Sequence, residues 1–124
     1  MKLVFDSFAW IAFFTDEDKG KVAELLKHNA GEIFTTAANF YEVSYRVFQE
    51  KGREKQLEAL SFIKKYSEII PISEEIAITA SELRLSHGLS AIDAFTLAAG
   101  RHWKAKVVTG DPDFVKFGGE VIMI

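Results

Sequence analysis

The chain has 124 residues, 48% hydrophobic, 13% aromatic and 27% charged, with 15 Lys and Arg against 18 Asp and Glu for a formal net charge of −3. That length suits one domain (1–124) able to bury a core unaided, and the composition excludes the disordered and low-complexity classes. Without cysteine there are no disulfides or thiolate metal sites, and the negative charge argues against broad attraction to nucleic acid, so a phosphate-bearing substrate would need a local basic patch or a metal.

Met1-Lys2 leads into a strand-like run without the apolar region or cleavage site of a signal peptide, and no run approaches membrane-spanning length. A cytoplasmic protein with no membrane partner is expected. Lys2 to Phe5 reads as a short strand ending in the helix-capping pair Asp6-Ser7. Phe8, Trp10, Ile11, Phe13 and Phe14 crowd the following helix with more apolar bulk than one core-facing stripe needs. Wedging between the sheet and a neighbouring helix is the ordinary account of such crowding, and a subunit or partner interface is the sharper one.

Thr15 to Asp18 reads as an acidic turn opening a helix through Val22, Leu25 and Leu26, which Asn29 to Gly31 stops. Glu32 to Thr36 is a second strand, and Thr36 caps a long helix from Ala37 to about Glu50. Its apolar face is Phe40, Val43 and Val47, flanked by Tyr41, Tyr45 and Phe48, with Asn39, Glu42, Arg46 and Gln49 on the polar side. Gly52 breaks the run before an amphipathic helix from Glu54 to Tyr66 through Leu57, Leu60 and Ile63, so two antiparallel helices are expected. Glu68 to Ile72 is a third strand, whose Pro71 belongs at an edge or strand end. Ser73 caps a helix carrying Ile76, Ala80 and Leu83 inward and closing at His87-Gly88.

Ser90 to Phe114 is the organising stretch: a nearly apolar helix through Ala94, Phe95, Leu97, Ala98 and Ala99, then the β-branched strand Lys106 to Thr109, bounded by Gly110 and Pro112. One turn later, Val121 to Ile124 makes a terminal strand. Alternating strands and helices predict an α/β/α sandwich with a short, mainly parallel central sheet.

Each acid has an ordinary explanation. Asp6 caps a helix; Ser90 and Asp93 stand at capping-box spacing; Asp111-Pro112 matches a cap followed by proline, with Asp113 in the first turn. Glu42, one turn before Arg46, suits a surface ion pair of about 0.3 to 0.5 kcal/mol. The case for function is convergence. In a parallel sheet the carboxyl ends of the strands and the amino ends of the helices share an edge, where ligands bind, and Asp6, Asp93 and Asp111 all fall there. Carboxylates crowded in a partly dry cleft repel and rise in pKa, a conflict that Mg²⁺ or Mn²⁺ removes through hard oxygen ligands. Such an ion holds a phosphate, acidifies a water and stabilises the leaving oxygen, which makes phosphodiester hydrolysis the reaction class.

The sequence resembles the PIN domains, and among them the small VapC-like ribonuclease toxins of type II toxin-antitoxin systems. The likeness runs through Asp6-Ser7 and the aromatic helix, Asn39-Phe-Tyr-Glu42-Val, Leu89-Ser-Ala-Ile-Asp93-Ala, and Val107-Val-Thr-Gly-Asp111-Pro-Asp-Phe114. It implies metal-dependent endoribonuclease chemistry on an acidic quartet of Asp6, Glu42, Asp93 and Asp111. Glu42 enters only through the resemblance. Asp6 and Asp93 would hold the principal Mg²⁺ or Mn²⁺, with Asp111 and Glu42 ligating directly or through water and Asp113, Thr109 and Ser7 in support. The attacking water would be metal-bound, leaving 5′-phosphate and 3′-hydroxyl ends. RNA as substrate, a small antitoxin protein and a homodimer follow from the same resemblance.

Two other readings stand beside it: a catalytically silent PIN-fold module binding protein through the Phe8 to Phe14 surface, and a DNA-directed nuclease of the same fold. A receiver or phosphatase is disfavoured, because Asp6 has neither a neighbouring acid nor a second Asp two residues on. His28, His87 and His102 lie at or near helix ends and lack nucleophile or ligand spacing. Arg46, Lys51, Arg53 and Lys55 read as a solvated face, and Trp103 as packing.

Overall fold

The computed structural model describes residues 1–15, 17 and 20–124. Five strands, β1 (Leu3–Phe5), β2 (Ile33–Thr36), β3 (Glu68–Ile70), β4 (Lys106–Thr109) and β5 (Val121–Met123), form one sheet in the order β3-β2-β1-β4-β5. Every pairing is parallel. The central strands are near-continuous apolar runs because both faces are covered. Successive residues alternate between two cores, as strand geometry requires. Leu3, Phe5, Ile33 and Val108 face one core, and Val4, Phe34 and Val107 the other.

Helices α1 (Ser7–Phe14), α2 (Lys21–His28), α3 (Ala37–Lys51) and α4 (Arg53–Tyr66) cover the first face. Trp10 is its centre, fully buried, with ring centroids 5.0 Å from Phe5, 6.0 Å from Phe14 and 6.2 Å from Phe62, and its indole N–H donating to Thr35 Oγ1 at 3.0 Å. The crowded aromatics of α1 thus serve mainly the core, although Phe8 stays 45% exposed. Helices α5 (Glu74–His87) and α6 (Ala91–Trp103) cover the second face. Helix α6 is central as expected, packing on β1, β2, β4, α3 and α5 with Ala94, Leu97, Ala98 and Ala99 buried.

Local signals are realised where they were read. Asp6, Thr36, Ser73, Ser90 and Asp111 each cap a helix by accepting a backbone N–H, the last at the 3₁₀ stretch Pro112–Glu120. Gly52, at φ 86°, turns α3 into α4 in a conformation that side chains disfavour. Pro71 falls just past the edge strand β3. The turn expected at Thr15–Asp18 lies partly outside the described residues, and α2 itself begins at Lys21.

Two face assignments are corrected. Leu57 points outward at 53% exposure, and the inner face of α4 is Gln56, Ala59 and Ile63. The Gln56 amide donates to Ser44 Oγ at 2.8 Å, giving a polar residue the inward position, while Ile63 faces the core as expected. Asn39, assigned to the polar side of α3, is 1% exposed. Among the described residues no helix is long and apolar enough to cross a membrane.

Candidate active site

Strands β1 and β4 are neighbours, with Phe5 in register with Val108, so their carboxyl ends lie side by side. The sheet order reverses between them, since β1 continues to β2 on one side and β4 to β5 on the other. Parallel sheets open a crevice at such a switch point. Asp6 leaves β1 there, Gly110-Asp111 leave β4, and the amino ends of α3 and α6 bring Glu42 and Asp93 to the same edge.

Asp6 is 3% exposed. Its Oδ1 accepts from the Ala9 amide at 2.8 Å, so the cap reading is correct, but it does not account for the electrostatics. Burial pushes the Asp6 carboxyl up to about 7, the Asp93 and Asp111 charges adding to the rise while the Thr109 hydroxyl and Ala9 amide oppose it. Asp93 is likewise raised, first by burial and then by Asp111, Glu42 and Asp113, with the Ser90 side chain pulling the other way. The five acids therefore share one field, and among the described residues no Lys, Arg or His forms a salt bridge with any of them. The ion pair read for Glu42 and Arg46 is not formed; among the described residues the salt bridges to acidic side chains join Met1 to Glu32, Lys55 to Glu58, Arg101 to Glu120 and His102 to Glu75.

The loop after β4 is fixed by its own polar groups. Thr109, fully buried, accepts the Asp111 amide at 3.0 Å, and Asp111 Oδ1 accepts the Asp113 amide at 2.9 Å. Asp113 is exposed and Glu42 half-buried. Gly110 lies against the Phe8 ring, with a Cβ there falling 2.2 Å from Phe8 Cε1, so any side chain here would have to displace the partly exposed Phe8 ring.

Among the described residues no three His, Asp or Glu side chains are gathered into a ready-made metal cage. The donor set still suits a hard divalent cation. It is all carboxylate, short of positive charge, and Mg²⁺ commonly takes only one or two protein carboxylates while keeping its waters.

The PIN domain family model matches residues 3–120. The chain belongs to the PIN domain family. This PIN domain matches no curated protein in sequence, but its fold recurs in solved structures. A toxin-antitoxin complex from Klebsiella pneumoniae shares 24% identity at a TM-score of 0.79, covering 98% of this chain and 97% of that one. VapC20 of Mycobacterium tuberculosis, a sarcin-ricin loop cleaving toxin, shares 16% identity at a TM-score of 0.83 over 99% and 98% of the two chains. DNA-bound VapBC from Salmonella typhimurium shares 16% at 0.80, over 100% and 97%. At these identities the likeness is one of fold.

Sequence reasoning missed Asn39 and Thr96. Asn39 Nδ2 donates to Ser7 Oγ at 3.0 Å, while its Oδ1 accepts from Thr36 Oγ1 at 2.7 Å and from Thr96 Oγ1 at 3.0 Å. Their signal was a lone polar residue one turn from an acid: Asn39 before Glu42, and Thr96 after Asp93 within an otherwise apolar helix.

Proposed function

We propose that this PIN domain, as one domain over residues 1–124, is a metal-dependent endoribonuclease that acts as the toxin of a toxin-antitoxin pair. The observation that carries the reading is the pairing of a buried Asp6 with a half-buried Asp93, both raised by burial and by neighbouring carboxylates, with no salt bridge to either among the described residues. A resident Mg²⁺ or Mn²⁺ would supply phosphate binding, acidification of a water and neutralisation of charge on the leaving oxygen. Asp6 and Asp93 would hold it, Asp111 and Glu42 would contribute directly or through water, and Asp113 would add negative potential at the rim.

The chain's own groups set the geometry. The Ala9 amide donates to Asp6 Oδ1 and the Asp113 amide to Asp111 Oδ1, which orients both carboxylates. Thr109 aligns both acids at once, through its hydroxyl toward Asp6 and its oxygen on the Asp111 amide. Ser7 holds the amino end of α1 to α3 through Asn39. Water, rather than an RNA 2′-hydroxyl, attacks phosphorus, so the 3′ oxygen leaves and the fragments carry 5′-phosphate and 3′-hydroxyl ends.

The toxin role, a cytoplasmic location, a small antitoxin partner and a homodimer are proposed from the named neighbours, which include toxin-antitoxin complexes. A cavity of ≈ 350 Å³ between α1, α3 and α4, lined by Phe13, Phe14 and Phe62 together with charged residues including Arg46, Glu50, Lys51 and Glu58, offers an antitoxin segment a seat away from the cleft carboxylates. The test is cleavage of structured RNA and matched single-stranded DNA with and without chelator, for wild type, Asp6→Asn and Asp93→Asn. Metal-dependent RNA cleavage lost in both variants is expected. Activity that survives both substitutions refutes the reading, and cleavage of DNA alone reassigns the substrate.

A further inference from the structure

We propose that Asn39, a buried amide outside the acidic set, is the positioning residue that holds three of the carboxylate-bearing elements at a common spacing. The proposal rests on the reading of the cleft as a cation site. Asn39 sits in the first turn of α3, one turn before Glu42. Its Nδ2 reaches Ser7, the residue after Asp6, at 3.0 Å, and its Oδ1 lies 3.0 Å from the hydroxyl of Thr96, one turn after Asp93. Each bond thus ends within one residue or one helical turn of a different acid. Two further bonds, from Thr36 Oγ1 to Asn39 Oδ1 at 2.7 Å and from the Asn39 backbone amide to Thr36 Oγ1 at 3.0 Å, fix the hub to the end of β2.

Asp6, Glu42 and Asp93 stand on or beside α1, α3 and α6 at one sheet edge, and the two Asn39 bonds tie those three helices together there. Hydrogen bonds fix direction as well as distance. Ser7, Thr36, Asn39 and Thr96 are all buried, and among the described residues no buried side-chain polar atom lacks a partner; the Thr96 hydroxyl is shared between Asn39 Oδ1 at 3.0 Å and the Ile92 carbonyl at 2.8 Å. The elements that carry the acids are then held in one register, within which a cation would draw the carboxylates together. Partners that orient metal ligands typically change affinity by about 10- to 100-fold when removed.

The test is Mn²⁺ affinity of the intact chain, read by electron paramagnetic resonance well below each variant's melting temperature. Asn39→Ala removes the hub. Thr96→Val removes one arm isosterically and leaves the rest of the network, which guards against a variant that does not fold. Ile63→Ala, a fully buried change elsewhere in the same core, is the stability control. Asn39→Ala and Thr96→Val should each weaken Mn²⁺ binding by about 10-fold or more, while Ile63→Ala lowers the melting temperature and leaves the affinity within about two-fold of wild type. Wild-type binding in both network variants, or affinity that follows melting temperature across all three, overturns the proposal alone. A wild-type chain that binds no Mn²⁺ overturns the cation reading, and the proposal with it.

Discussion

Replacing Asp6 by Asn should stabilise the metal-free fold, and more so as pH rises. Asn keeps the shape of the side chain and an oxygen that can accept the Ala9 amide, so the helix cap survives. What it removes is a carboxylate that titrates at about 7 when folded against an ordinary value of 3.8. A raised folded pKa means that the native state keeps the proton longer than the unfolded chain does. Its stabilising contribution is whole below the unfolded value and is lost as pH rises through the folded one. At about 1.36 kcal/mol per pKa unit, wild type loses about 2 to 3 kcal/mol from this group between pH 5 and pH 8. Asp6→Asn loses none of that. With an unfolding entropy of about 2.1 cal/mol/K per residue, the gap corresponds to a melting-temperature advantage that widens by roughly 10 °C over the same interval. Urea titrations of both proteins in chelator at pH 5 and pH 8 measure it. A difference between the two proteins that is flat with pH, or that narrows, refutes the electrostatic account of the cleft.

Mn²⁺ binding to wild type should be proton-linked through the same group, weakening by up to about tenfold per pH unit below 7 because the ligand must first ionise; calorimetry that finds one affinity from pH 5.5 to pH 8 contradicts this. Thr109→Val deletes the hydroxyl that opposes the rise of Asp6 and strands the Asp111 amide. It should cost about 1 to 3 kcal/mol and move the Asp6 transition in the pH–stability profile upward, whereas a purely structural role would leave the transition where it is. Gly100→Ala places a Cβ 3.0 Å from the Ala105 carbonyl and 3.1 Å from Val107 Cγ2, where α6 closes onto β4. Overpacking of about 1 to 3 kcal/mol should outweigh the gain of roughly 1 kcal/mol in helix propensity, and thermal melting that shows net stabilisation contradicts the tightness of that junction.

Much of this PIN domain was legible because its signals are local. Caps stand one residue before their helices, as Thr36 and Ser90 do, and strands buried on both faces advertise themselves as unbroken apolar runs. Given that alternation, the parallel topology alone brings Asp6, Asp93 and Asp111 to one edge, which is why the acids could be singled out without knowing a distance. The misreadings have a shared cause. Asn39 and Leu57 were assigned from helical periodicity, which cannot see partners on other elements. Asn39 is drawn inward by Ser7, 32 residues away, and by Thr96, 57 residues away. Gln56 takes the inward place beside Leu57 because Ser44, 12 residues away on the preceding helix, accepts its amide. Glu42 failed in the opposite sense: its spacing to Arg46 is right for an ion pair, yet its charge is felt by Asp93 across the cleft.

The central claim is that side chains from four separate elements are reconciled by one hard cation. Diffraction from crystals soaked in Mn²⁺, recorded at the manganese absorption edge, tests it most directly. The account predicts an anomalous peak roughly 2 Å from carboxylate oxygens of Asp6 and Asp93, with Asp111 and Glu42 joined to it directly or through water. A fully occupied peak elsewhere on the molecule, with the cleft empty and Asp6 still buried and protonated, would contradict it.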